Sequence, residues 1–88
     1  MKIKNRLKHL IIRVPKPEAS FTYFQFEAND GLCFYSTLGP SMKEPYRDID
    51  VKTHQSMSNE LMRLIEHLQY KFHLEILSEQ WIDDLAVN

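Results

Sequence analysis

The chain has 88 residues, 43% of them hydrophobic and 26% charged, with a formal net charge of -1 at pH 7. That composition belongs to one globular domain and excludes collagen-like and disordered classes, while no apolar run approaches the roughly 20 residues that cross a bilayer. The charge is uneven: residues 1–17 carry six Lys/Arg and no acid, whereas residues 18–88 carry five Lys/Arg against twelve Asp/Glu, a net charge of -7 for the body.

In chain order, residues 1–6 are polar and basic without a period and read as a flexible arm. From Leu7 the pattern is strand-like, with Leu10, Ile12 and Val14 on one face and His9, Ile11 and Arg13 on the other. The basic start resembles the first part of a signal peptide, but Leu10-Ile11-Ile12 is stopped by Arg13 and no small-residue cleavage site follows, so a cytoplasmic protein is expected. The strand ends at Pro15, which has no N–H for a ladder. Pro15-Lys16-Pro17-Glu18 suits a helix start, with proline in the first turn and an acid at the positive end of the helix dipole.

Residues 18–28 are ambiguous. Phe21, Phe24 and Ala28 fit a helix, whereas Phe24, Phe26 and Ala28 alternate as in a strand. A strand would make Asn29-Asp30-Gly31 a hairpin turn; a helix would make Gly31 the left-handed residue beyond its end. Leu32, Phe34, Ser36 and Leu38 then alternate with Cys33, Tyr35 and Thr37 in a strand. Gly39 to Pro45 is a loop, and Tyr46 to Thr53 is a second strand with Ile49 and Val51 inward and Asp48, Asp50 and Lys52 outward. These two strands are expected to form an antiparallel hairpin. A helix from about Ser56 to Lys71 carries Met57, Leu61, Leu64, Ile65, Leu68 and Phe72 on one face, with Ser56 or Ser58 as its cap. A short strand, His73 to Leu77, is followed by an acidic tail whose Trp81, Ile82 and Leu85 would line up on a short helix. The expected organisation is an arm over 1–6, one α+β domain over 7–77 and a C-terminal tail over 78–88.

Leu10 to Val14 with Arg13, the start at Pro15 and Pro17, then Phe24, Glu27 and Asp30-Gly31-Leu32 feeding a strand through Ser36-Thr37 resemble a family of small bacterial proteins catalogued as domain of unknown function 4911. The resemblance covers Leu10 to Leu77. It implies a ferredoxin-like βαββαβ fold related to ACT-type regulatory domains, a four-stranded antiparallel sheet with two helices on one face, and it implies that residues 18–28 are helical. The alternative fold is a four-stranded antiparallel meander with one C-terminal helix. The family brings no established activity, and where ACT-type domains carry a ligand-binding glycine after the first strand this chain has Pro15-Lys16-Pro17, which argues against amino-acid sensing in that manner.

The residues offer little chemistry. His9, His54, His67, His73 and the single Cys33 are scattered without metal-ligand spacing, so no metal and no cofactor are expected, and Cys33 has no neighbour to activate it. With only Gly31 and Gly39 there is no phosphate loop. In a sheet of RNA-binding type the stacking positions would be His9, Ile11, Arg13, Asp48, Asp50 and Lys52, where two carboxylates would repel phosphate. A polar cluster of Arg13, Glu27 and Asp30 is the candidate ligand site, although Asp30 and Glu27 also serve simply as turn and surface residues. The half-apolar open sheet face, with Ile11, Tyr35 and Leu77 beside Cys33 and Thr37, is together with Trp81 of the tail the candidate interface, unless the tail folds over that face with Trp81, Ile82 and Leu85 covering it. The expected function is a non-enzymatic interaction or regulatory module, a homodimer or the binder of a protein partner through its open face or edge, with a small-ligand sensor as the alternative.

Overall fold

Leu10, Ile12 and Val14 repeat at every second residue, as do Ile49, Val51 and Thr53, and all six are fully buried. The computed structural model, which describes residues 5–39 and 44–84, pairs these two runs side by side as the centre of a sheet. The order is β1 (Asn5–Pro15), α1 (Ala19–Ala28), β2 (Phe34–Leu38), β3 (Tyr46–His54), α2 (Ser58–Lys71) and β4 (Glu75–Asp84), with 3-10 turns at Lys16–Glu18 and Gln55–Met57. The strands lie in the order β2-β3-β1-β4 with every pairing antiparallel. This is the ferredoxin-like βαββαβ fold, and the meander is excluded.

The ambiguous segment is helical because Ala19, Thr22 and Phe26 fall on one side of a helix and are buried there. Asn29 donates its side-chain amide to the Gln25 carbonyl at 2.8 Å, the Leu32 N–H reaches the Asn29 carbonyl at 2.9 Å, and Gly31 takes φ +76° beyond the helix end. That φ favours a residue without Cβ. Leu32 therefore lies before the strand and turns inward, buried, while its carbonyl accepts a bond from the Thr53 hydroxyl at 2.6 Å. It does not share the outward side of Phe34, as strict alternation from Leu32 had implied.

On α2, Leu61, Ile65 and Leu68 are buried, with Met57, Leu64 and Phe72 half-buried beside them. The serine caps do not form. His54 Nδ1 instead accepts the Ser56 N–H at 3.1 Å in the preceding turn. Phe26 from α1 joins the α2 residues over β1 and β3, so one core lies between the sheet and both helices.

The ends of the described chain depart from expectation together. Asn5 and Arg6 are strand rather than arm, and residues 78–84 continue β4 rather than form a helix, because the two stretches pair with each other: Asn5 with Asp84, Arg6 with Asp83, Leu7 with Ile82 and Lys8 with Trp81. Each supplies the ladder partners that the other would lack beyond the end of β3. A short terminal helix would leave most of its backbone groups to water. The tail therefore lengthens the sheet, and residues 78–84 do not cross its open face. Residues 1–4 of the arm, 40–43 of the loop and Leu85 of the tail lie outside the described residues.

Candidate functional site

Arg13 alternates with the buried Ile12 and Val14, so it points away from the helices. Its register partner is Asp48, to which it donates twice, Nε to Oδ1 at 2.7 Å and Nη2 to Oδ2 at 3.0 Å, with the guanidinium stacked 3.8 Å above the Tyr46 ring. The bond to Asp48 raises the Arg13 pKa above its ordinary value. Glu27 belongs to α1 and accepts a bond from the Tyr35 hydroxyl, while Asp30 is exposed in the turn after α1. The sheet separates Arg13 from both acids, and the three residues do not form one site.

The open side of the sheet is a mixture of paired charges and apolar side chains. His9 Nε2 is 2.7 Å from Asp50 Oδ1, Lys52 Nζ is 3.3 Å from the same oxygen, and Gln80 Nε2 is 3.4 Å from His9 Nδ1. Thus the basic side chains at the positions an RNA-binding sheet would use are each engaged by a carboxylate. Ile11 stands among them, next to a bulge in β4 where Ile11 pairs with Ser78 and Ile12 with Ile76, leaving Leu77 as the extra residue. Phe34 is the most exposed apolar residue on this side, at 79%.

Tyr35 is not on this face. Its partner across the ladder is Val51, and Thr37 pairs with Ile49, so both sit beside inward-pointing residues and face the helices; Cys33 likewise packs against the core. Trp81 pairs with Lys8 and shares the helix side too, with Arg6 and Lys8 at 5.0 and 5.1 Å from its ring centroid. Of the four expected interface residues, Ile11 and Leu77 are neighbours on one side of the sheet, whereas Tyr35 and Trp81 lie on the other, at opposite edges.

What Tyr35 does instead defines the β2 side of the molecule. Its ring stacks on Tyr23 at 5.1 Å and tilts against Phe26 at 5.5 Å, its hydroxyl bonds Glu27, and the Tyr23 hydroxyl pairs with that of Thr37. The bond to the Glu27 carboxylate, aided by burial, pushes the Tyr35 phenol up to about 12. α1 is thereby fastened to β2 by its Tyr23 and Glu27 flank. A helix turns about 100° per residue, so Phe24 stands next to Tyr23 and Glu27 on the outward side, with Phe21 one turn before it. Phe24 is 64% exposed and Phe21 is 37% exposed. β2 itself, Phe-Tyr-Ser-Thr-Leu, is an edge strand without charge, proline or bulge.

Phe21, Tyr23 and Phe24 were not among the candidate site residues above, although a signal was present. The ten residues of α1 include four aromatics and one charged residue, Glu27, more apolar surface than one buried stripe can take. Elsewhere the surface holds a shallow groove of about 320 Å³ between α2 and β4, floored by Met62, Ile65 and Ile76. Among the described residues no three His, Cys, Asp or Glu side chains are grouped to hold a metal ion, and no helix is long and apolar enough to cross a membrane. Burial pushes the Cys33 thiol up to about 11, the wrong direction for a nucleophile near neutral pH. Comparison of the chain with protein-family models, with curated proteins and with solved structures finds no match.

Proposed function

We propose that this chain is a non-enzymatic cytoplasmic interaction module that self-associates, and that it does so through its β2 edge together with the outward flank of α1. The observation that carries this is the uncharged edge strand with exposed aromatics about it: β2 has no charged residue and its Phe34 is 79% exposed, while Phe21 and Phe24 are exposed on the outward side of the helix packed against it, in a body of net charge -7. Unpaired strand edges and exposed aromatic clusters are surfaces that soluble domains normally cover or break up. The open face supports association less well, because its centre is filled by the Arg13–Asp48 and His9–Asp50–Lys52 pairs. Membership of the family catalogued as domain of unknown function 4911, suggested by the residues around Glu27 and Asp30-Gly31-Leu32, is part of the same proposal.

Size-exclusion chromatography with light scattering at micromolar concentration tests it. The wild-type chain is expected at twice the single-chain mass, Phe24→Glu at the single-chain mass, and Tyr70→Glu, on the exposed side of α2, unchanged from wild type. A wild-type chain that stays at the single-chain mass as its concentration rises overturns the reading.

A further inference from the structure

We infer that residues 78–84, the half of β4 beyond the bulge, form a latch that opens from β1 as one unit hinged at Leu77, is held shut by charge, and while shut covers the backbone edge of β1. Nothing in this depends on the self-association proposed above. Before the bulge the chain is anchored by burial, since Leu74 is buried and Ile76 packs against the core. Beyond it none of residues 78–83 is buried and none joins the core, although the β1 residue facing Glu79 is the fully buried Leu10. A segment with few buried apolar contacts opens at a lower free energy than the core it borders.

What holds the segment is the β1 ladder and a row of charges. Glu79, Trp81 and Asp83 alternate with Gln80 and Ile82, so all three stand on the helix side, opposite Leu10, Lys8 and Arg6. Glu79 Oε2 is 2.6 Å from Lys8 Nζ and Asp83 Oδ1 is 3.2 Å from Arg6 Nε. The Trp81 ring lies between these pairs, with Arg6 and Lys8 at 5.0 and 5.1 Å from its centroid. On the open side Gln80 reaches His9 at 3.4 Å. Exposed ion pairs weaken as salt screens them, whereas the apolar packing that anchors Ile76 is not screened.

The bulge supplies the hinge. Ile11 pairs with Ser78 and Ile12 with Ile76, so Leu77 has no ladder partner and the strand can bend there while Ile76 keeps its own pairing. Opening bares the side of β1 that β4 covers over residues 5–11. Backbone groups freed in this way accept an extended segment as a new strand. The latch thus makes access to β1 depend on ionic strength, the edge being closed at low salt and open more often at high salt.

Amide hydrogen exchange read residue by residue by NMR tests the latch. The amides of residues 78–84 that donate to β1 should share one protection, at least about tenfold below that of the β3 amides, with a step at Leu77. Raising sodium chloride from about 0.01 M to about 1 M shortens the screening length from about 30 Å to about 3 Å and should speed their exchange about threefold relative to β3. Glu79→Gln combined with Asp83→Asn should give that faster exchange already at low salt and remove the further rise. The salt series needs no substitution, so it stands whatever the double variant does to the fold. Protection equal to that of β3, protection that falls steadily towards Asp84 with no step at Leu77, or exchange that ignores both salt and the double substitution each overturns the inference.

Discussion

The two helices cover the same face of one sheet, yet they are built for different tasks. α2 buries Leu61, Ile65 and Leu68 and turns Glu60, Arg63, Glu66 and His67 to solvent, with the Arg63–Glu60 pair at 2.6 Å on that side. α1 buries Ala19, Thr22 and Phe26 and still leaves Phe21 and Phe24 in water. The edges beside them differ in the same sense: β4 is long, acidic and bulged, and β2 is short, uncharged and regular. Both halves leave large apolar side chains in water, Tyr70, Leu77 and Trp81 on α2 and β4 and Phe21, Phe24 and Phe34 on α1 and β2, but only in the α1–β2 half do they stand beside an edge strand without charge. α2 and α1 both supply core residues, and α1 in addition holds Phe21 and Phe24 in water.

That division is open to direct attack. The largest effect is expected from Leu61→Ala, which should lower the unfolding free energy by about 2–5 kcal/mol in urea titrations because a fully buried side chain leaves a cavity. Phe24→Ala should change the stability of the dilute chain by no more than about 0.5 kcal/mol, despite its greater bulk, since it is mostly exposed. Equal losses at the two positions would break the comparison. Gly31→Ala, at the turn that delivers α1 to β2, should cost about 1–2 kcal/mol through its φ of +76° alone, as an added Cβ would meet nothing within 4 Å.

The smallest effect concerns the fastening of α1 to β2. The neutral Tyr35 phenol donates to Glu27, and its pKa rises from 10.0 to about 12. Its contribution to stability is therefore fully present below pH about 10 and is lost as pH rises towards 12. Ultraviolet titration of the phenolates should show one tyrosine ionising late, and Glu27→Ala should return it towards 10.0. A late tyrosine that persists in Glu27→Ala would mean that burial, rather than the carboxylate, sets it.

Local pattern carried most of the fold. The alternation of Leu10, Ile12 and Val14 and of Ile49 and Val51, the 3.6-residue period of Leu61, Ile65 and Leu68, and the break at Gly31 each report on a side chain's own neighbours in the chain. The candidate site was far less legible. Arg13 and Glu27 are close in an argument from sequence but stand on opposite sides of the sheet, and the side to which Tyr35 points depends on its partner Val51, sixteen residues away along the chain.

The sequence by itself determined the strands around residues 10–14, 34–38 and 46–53, the inward residues of the central strands and the amphipathic second helix, because burial repeats with the period of each element. Only the tertiary structure decided that residues 18–28 form a helix on local grounds left even, that residues 78–84 extend the sheet, and that Phe24 and Phe34 remain exposed. Those outcomes follow from pairing between distant segments. A strand needs a ladder partner and a helix needs a surface to cover, and what those partners leave uncovered is settled only when the whole sheet has formed.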